Sequence, residues 1–286
     1  MQATKLTTKP TIKKQPQKPT QKAIKPTSAA KRAIKPAPKT CATHSIVQQI
    51  ISVLALPLWV AVVLYACQYA ITFGLYFIIG RALLTNPVWT TICNALIYAI
   101  SLFLIIWLPI KLFHCWQTSR KELGLNSTLT WTDLGLAPIG FIVYLLLAAI
   151  IVSIFSLFPF FDPEQAQELG YSALNSGLDR IVAFFALCIV APVAEEIIFR
   201  GWLYGKLRAK ISGRTKSLLL SIFITSLTFG ILHGQWNVGV NVFAMSIVLC
   251  ALREITGTIH SGVILHILKN SIAFVIVYIL GTGFLS

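Results

Sequence analysis

Acidic residues are scarce in this chain: nine Asp and Glu stand against 24 Lys and Arg in 286 positions, and charged residues of either sign make up only 12%. A soluble domain carries roughly a quarter. With 56% of the sequence hydrophobic, an ordinary water-soluble fold is excluded. Close cysteine pairs are also missing. Cys41, Cys67, Cys93, Cys115, Cys188 and Cys250 are scattered, which rules out metal clips and redox pairs and leaves free thiols. No His-Glu-x-x-His segment occurs, so the commonest helical zinc-protease pattern is absent. No apolar stretch lies near residue 10, so no cleaved secretory signal is expected, and the first hydrophobic segment stays as an anchor.

The first 45 residues contain no acidic residue and repeat Lys-Pro-Thr (at Lys9, Lys18 and Lys25) and Ala-Ile-Lys-Pro (at Ala23 and Ala33). Such a segment buries too little apolar surface to offset its ordering entropy, and its prolines oppose regular helix; it is expected to be disordered. It holds much of the +15 net charge, which therefore does not point to nucleic acid. Each of its cations near an anionic lipid surface is worth about 1 kcal/mol, so anionic headgroups are the expected contact; a plain solvated tail is the alternative.

Beyond Ser45 the chain reads as an all-α integral membrane protein. Apolar stretches near Ile46–Gly80, Val88–Ile110, Ala137–Phe160, Arg180–Tyr204, Ser217–Gln235, Val238–Leu252 and Thr258–Leu280 can cross a hydrocarbon core that needs about 20 helical residues. Seven spans are expected, within a range of six to eight, bundled around a buried polar cavity. The first is too long for one upright helix, and Pro57 is expected to divide it. Lys111, Arg120 and Lys121, with Lys206, Arg208, Lys210, Arg214 and Lys216, fall on the side of the basic tail, and the loop around Asp162, Glu164, Glu168 and Asp179 on the other. Because cytoplasmic loops collect Lys and Arg, the N-terminus is expected in the cytoplasm, with a bacterial plasma membrane as the setting. Between Lys111 and Leu136, Trp116, Leu123, Leu125, Trp131, Leu134 and Leu136 alternate with polar groups, as in a segment lying in the interface or in a loop whose tryptophans sit in the aromatic belt.

Three charges interrupt the span that begins near Ile181: Glu195, Glu196 and Arg200. Even the lenient insertion scale puts each at about 2.5 to 3.5 kcal/mol near the bilayer centre, so such residues face a protein interior and are functional candidates. Arg200, four residues after Glu196, lies about 40° from it around a helix and is its natural partner, whereas Glu195 points about 100° away and is the freer carboxylate, suited to a general base. His233 follows Phe229 by four residues, and Asn270 follows His266 by four. Each alone is readily a hydrogen-bonded structural residue. One shared cavity accounts for all of them together, with water activated by Glu195 and His233 and an oxyanion met by His266 and Asn270. Depth is the difficulty. Glu195 and His233 lie roughly 22 and 25 Å from the basic loop, whereas His266 is only about 12 Å beyond Thr258, so the last helix must start deeper or tilt.

Glu195-Glu196-Ile197-Ile198-Phe199-Arg200-Gly201, Phe229-Gly230-Ile231-Leu232-His233 and His266-Ile267-Leu268-Lys269-Asn270 resemble, in order and spacing, the three signature motifs of the CAAX-protease and bacteriocin-processing family, also called Abi, which includes the type II CAAX prenyl endopeptidases. The resemblance covers about residues 180–280 of a membrane domain spanning 46–286. It implies an intramembrane endopeptidase with Glu195 as the water-activating base, Glu196 and Arg200 in support, His233 assisting, and His266 with Asn270 at the oxyanion. The substrate it implies is a peptide or protein, lipid-modified in the eukaryotic branch. No cofactor is required in a glutamate mechanism; a zinc ion on Glu195, His233 and His266 is the metalloprotease alternative. His260, His44 and His114 are expected to be interfacial, and Arg253 and Glu254 to mark only the end of the sixth span. A silent membrane scaffold, a bacteriocin-immunity protein and a proton-coupled transporter are the competing functions.

Overall fold

The computed structural model describes residues 46–112, 114–163 and 174–280. The basic tail, with His44, and Glu164 and Glu168 lie outside them. The described residues form an all-α bundle without strands, as the composition predicts. Helix α1 (Ile46–Ile79) leads through a single turn, α2 (Ala82–Thr85), into α3 (Pro87–Leu112). These are followed by α4 (Trp131–Phe155), α5 (Gly177–Lys210), α6 (Arg214–Ile231), α7 (Trp236–Thr256) and α8 (His260–Ile279). Helices α1, α3, α4, α5, α7 and α8 are long and apolar enough to cross a membrane. The expected fifth span, α6, is 18 residues long and is not among these six, its first turn carrying Arg214 and Lys216.

Pro57 does not divide α1, which is one helix of 34 residues. A proline removes one backbone hydrogen bond, but a break would free several groups with no water to receive them in a bilayer core. At about 51 Å the helix exceeds a hydrocarbon core of about 30 Å and must tilt or extend beyond it. Helices α4 and α5 begin earlier than hydropathy alone suggests, because Thr130 with Asp133 and Ser176 with Asp179 form reciprocal capping boxes that satisfy the first backbone N–H groups.

Helices α1 and α3 run antiparallel. The Trp59 indole donates to the carbonyl of Ile105 at 3.3 Å, and Thr72 Oγ1 lies 3.6 Å from Cys93 Sγ. Helices α6 and α7 cross closely at a glycine pair, where a Cβ on Gly230 would come within 2.8 Å of the Gly239 carbonyl oxygen. Large apolar side chains on α1 and α4, among them Leu54, Leu58, Ile139, Ile142 and Leu146, face outward, the surface a lipid-embedded bundle presents.

Residues 114–130 form no interfacial helix. They are a strap across one end of the bundle. Trp116 packs edge-on against Trp59 and Trp202, Lys206 donates to Gln117 and Glu122, and Arg253 Nη2 donates to the Glu122 carbonyl at 3.0 Å. The Ile259 N–H donates to the Gly124 carbonyl, and His260 Nε2 lies 2.9 Å from the Ser127 carbonyl oxygen. Arg253 and Glu254 thus do more than mark a helix end, since Glu254 also accepts hydrogen bonds from Tyr204 and Arg208. The strap covers the start of α8, and Asp133 on α4 holds that start inside the bundle by accepting from Ser261 at 2.7 Å. Thr258, Ile259 and Ser261 are buried in consequence. The start of α8 is thus enclosed by the strap and α4, with His266 less than two turns beyond it.

Candidate active site

Helix α5 carries both glutamates, and its backbone widens on either side of them into π-helical turns, Phe185–Val190 and Ile197–Leu203. Such turns recur at functional sites because they redirect side chains and loosen carbonyl groups from the ladder. Glu196 is fully buried, and its Oε1 accepts from Arg200 Nη1 at 3.0 Å, the i, i+4 pair expected from spacing. The guanidinium of Arg200, also fully buried, lies 4.4 Å from the centre of the Phe229 ring, so one side chain neutralises Glu196 and anchors α6 through an aromatic face.

His266 of α8 stands between the two carboxylates. Its Nδ1 is 3.0 Å from Glu196 Oε1, and its Nε2 is 3.6 Å from Glu195 Oε2. This approach depends on Gly262, one turn earlier on α8, where a Cβ would lie 3.1 Å from Glu196 Oε2. Glu195 keeps 14% of its side chain exposed. Its Oε1 accepts a hydrogen bond of 2.6 Å from the Tyr98 hydroxyl on α3.

Glu195, Tyr98 and His233 line one cavity of about 380 Å³, whose other walls include Asn94, Gln68, Leu187 and Phe229. His233 is not on the helix face that its spacing from Phe229 implies; α6 ends at Ile231 and His233 lies in the turn that follows. Its ring still packs edge-on against Phe229 at 4.8 Å, and its Nδ1 is 2.7 Å from the Phe229 carbonyl oxygen. A carbonyl only accepts, so Nδ1 carries the proton and a neutral His233 offers the lone pair of Nε2. His266 and Asn270 are not among the lining residues. The Asn270 amide donates to the carbonyl of Leu187 at 2.9 Å, within the first π-helical turn.

Sequence reasoning did not single out Tyr98, nor Lys269 beside Asn270. Both left a signal: a hydroxyl and a cation inside apolar spans. Among the described residues no group of three His, Cys, Asp or Glu side chains is disposed to hold a metal ion. Of the trio Glu195, His233 and His266, His266 turns one ring nitrogen toward each glutamate and His233 turns Nδ1 to the Phe229 carbonyl.

No curated protein and no solved structure matches this chain. Residues 177–272, the stretch that holds both glutamates, Arg200, both histidines and Asn270, match the family model described as Type II CAAX prenyl endopeptidase Rce1-like.

Proposed function

We propose that this chain is an intramembrane endopeptidase in which Glu195 activates a water molecule against a peptide carbonyl. The observation that carries the reading is the convergence of α3, α5, the turn after α6, and α8 on Glu195, beside a cavity large enough for a segment of peptide. The match over residues 177–272 supports it, and the six long apolar helices make the protein an integral membrane protein.

Water held between Glu195 and Nε2 of His233 attacks the carbonyl carbon while Glu195 takes its proton. Asn270 does not face the cavity, and it acts on the tetrahedral intermediate through the wall, by bonding the carbonyl of Leu187, which lines it. Collapse breaks the C–N bond, and the proton on Glu195 passes to the leaving amine. Glu196 and Arg200 hold His266, and His266 holds Glu195. No step passes through a metal ion.

The strap joins the ends of α5 and α7 and the start of α8. Lys206, Arg208, Arg120 and Lys121 therefore gather at one end of the bundle, the expected cytoplasmic end, where they favour anionic headgroups.

The test is Glu195→Gln in purified protein, assayed in detergent with quenched-fluorescence decapeptides. Hydrolysis is expected to vanish with the thermal transition unchanged, because the substitution removes a base and keeps shape. Undiminished turnover in that variant would overturn the assignment.

A further inference from the structure

The cavity has a second wall that the chemistry above does not use. It is built by α1 and α3, outside the matched residues 177–272. On α3, Asn94 and Tyr98 are one turn apart and share a face, and both line the cavity. Tyr98 is bonded to Glu195, but no described residue hydrogen-bonds the amide of Asn94. On α1, Gln68 lines the same space, and among the described residues its side chain makes one bond, a long 3.4 Å contact from Nε2 to Thr72 Oγ1. The two cross-contacts of this helix pair, Trp59 to Ile105 and Thr72 to Cys93, place Gln68 level with Ile97, between Asn94 and Tyr98.

A primary amide inside an apolar span is unfavourable unless it is satisfied. A peptide entering such a cavity faces the same problem in mirror image, since each of its N–H and C=O groups leaves water without a partner. A carboxamide carries a donor and an acceptor side by side, so it can serve a peptide's C=O and N–H together while ignoring its side chains.

We propose that Asn94, assisted by Gln68, is the substrate-backbone clamp of this site, and that the substrate is an extended, unfolded segment of peptide recognised through its main chain. This rests on the peptidase reading of Glu195. Asn94 lies one turn, about 6 Å, from Tyr98 and the base it holds, and an extended chain advances about 3.3 Å per residue. The clamp therefore grips a peptide group about two residues from the scissile bond.

The experiment uses the full-length protein in detergent and the same quenched decapeptides, with binding read by fluorescence anisotropy on Glu195→Gln protein and turnover read on protein with Glu195 intact. Adding Asn94→Leu is expected to weaken peptide binding about tenfold and to raise KM by the same factor, the loss of one or two hydrogen bonds, with kcat within about twofold. Gln68→Leu should weaken both about threefold, and Asn94→Ser, which keeps a donor and an acceptor, should recover part of the loss. It also replaces the leucine variant if that one does not fold. Unchanged binding and KM in Asn94→Leu would overturn the clamp, as would failure of the Glu195→Gln protein to bind any decapeptide. Asn94-dependent binding without hydrolysis by the wild type would leave the clamp standing and remove the base assignment instead.

Discussion

The hydroxyl of Tyr98 donates to Glu195 Oε1 at 2.6 Å, although the two residues lie 97 positions apart in the chain. Helix α3, outside the matched residues, thereby fixes one oxygen of the base while His266 stands 3.6 Å from the other. Tyr98→Phe is expected to lower kcat by about tenfold or more, the effect of losing a hydrogen bond to a charged group, with KM unchanged. Steady-state kinetics on the decapeptides check this. A wild-type kcat, or a change in KM alone, would remove Tyr98 from the positioning of Glu195.

Arg200→Ala leaves Glu196 buried without its cation, a change expected to cost about 3 to 5 kcal/mol. Activity and thermal stability should fall together, because the guanidinium also packs against Phe229. Arg200→Lys is expected to recover little, since a point charge does not reproduce a planar group stacked on a ring. A melting temperature equal to the wild type's would show that the pair carries no such weight.

Gly262 lets α8 approach Glu196. Gly262→Val should displace the helix, at about 1 to 3 kcal/mol for overpacking, and move His266 off both carboxylates. The expected outcome is a large loss of kcat with a modest drop in melting temperature. Full activity in this variant would mean that the spacing of α8 is not critical.

Incubation with 1,10-phenanthroline is expected to leave turnover unaltered, because in the proposed mechanism Glu195, held by Tyr98, activates the water without a metal ion. Inactivation that added zinc reverses would establish a metal mechanism.

Removal of residues 1–44 is expected to preserve turnover in detergent while weakening binding to vesicles that contain anionic lipid. The difference should shrink as salt rises, since surface charges separated by more than about 8 Å are screened at physiological ionic strength. Salt-independent binding would exclude an electrostatic tether.

Much of this protein follows from its sequence. Long apolar stretches in a chain that is 12% charged have few alternatives to membrane helices, because a bilayer core leaves backbone groups no partner outside the helix. The i, i+4 spacing of Glu196 and Arg200 determines their ion pair by local geometry alone. Charged and polar groups inside apolar spans mark Glu195, His266 and Asn270, since only function or internal pairing sustains them there.

Local rules do not reach the contacts between helices. That α1 continues through Pro57, that α6 stops before His233, and that α8 begins beneath the strap under the hold of Asp133 were decided by packing and by the need to satisfy buried polar groups. Tyr98 illustrates the limit. Its place on an apolar helix is visible in the sequence, but its partner is set by how α3 lies against α5, and that arrangement depends on every side chain between them.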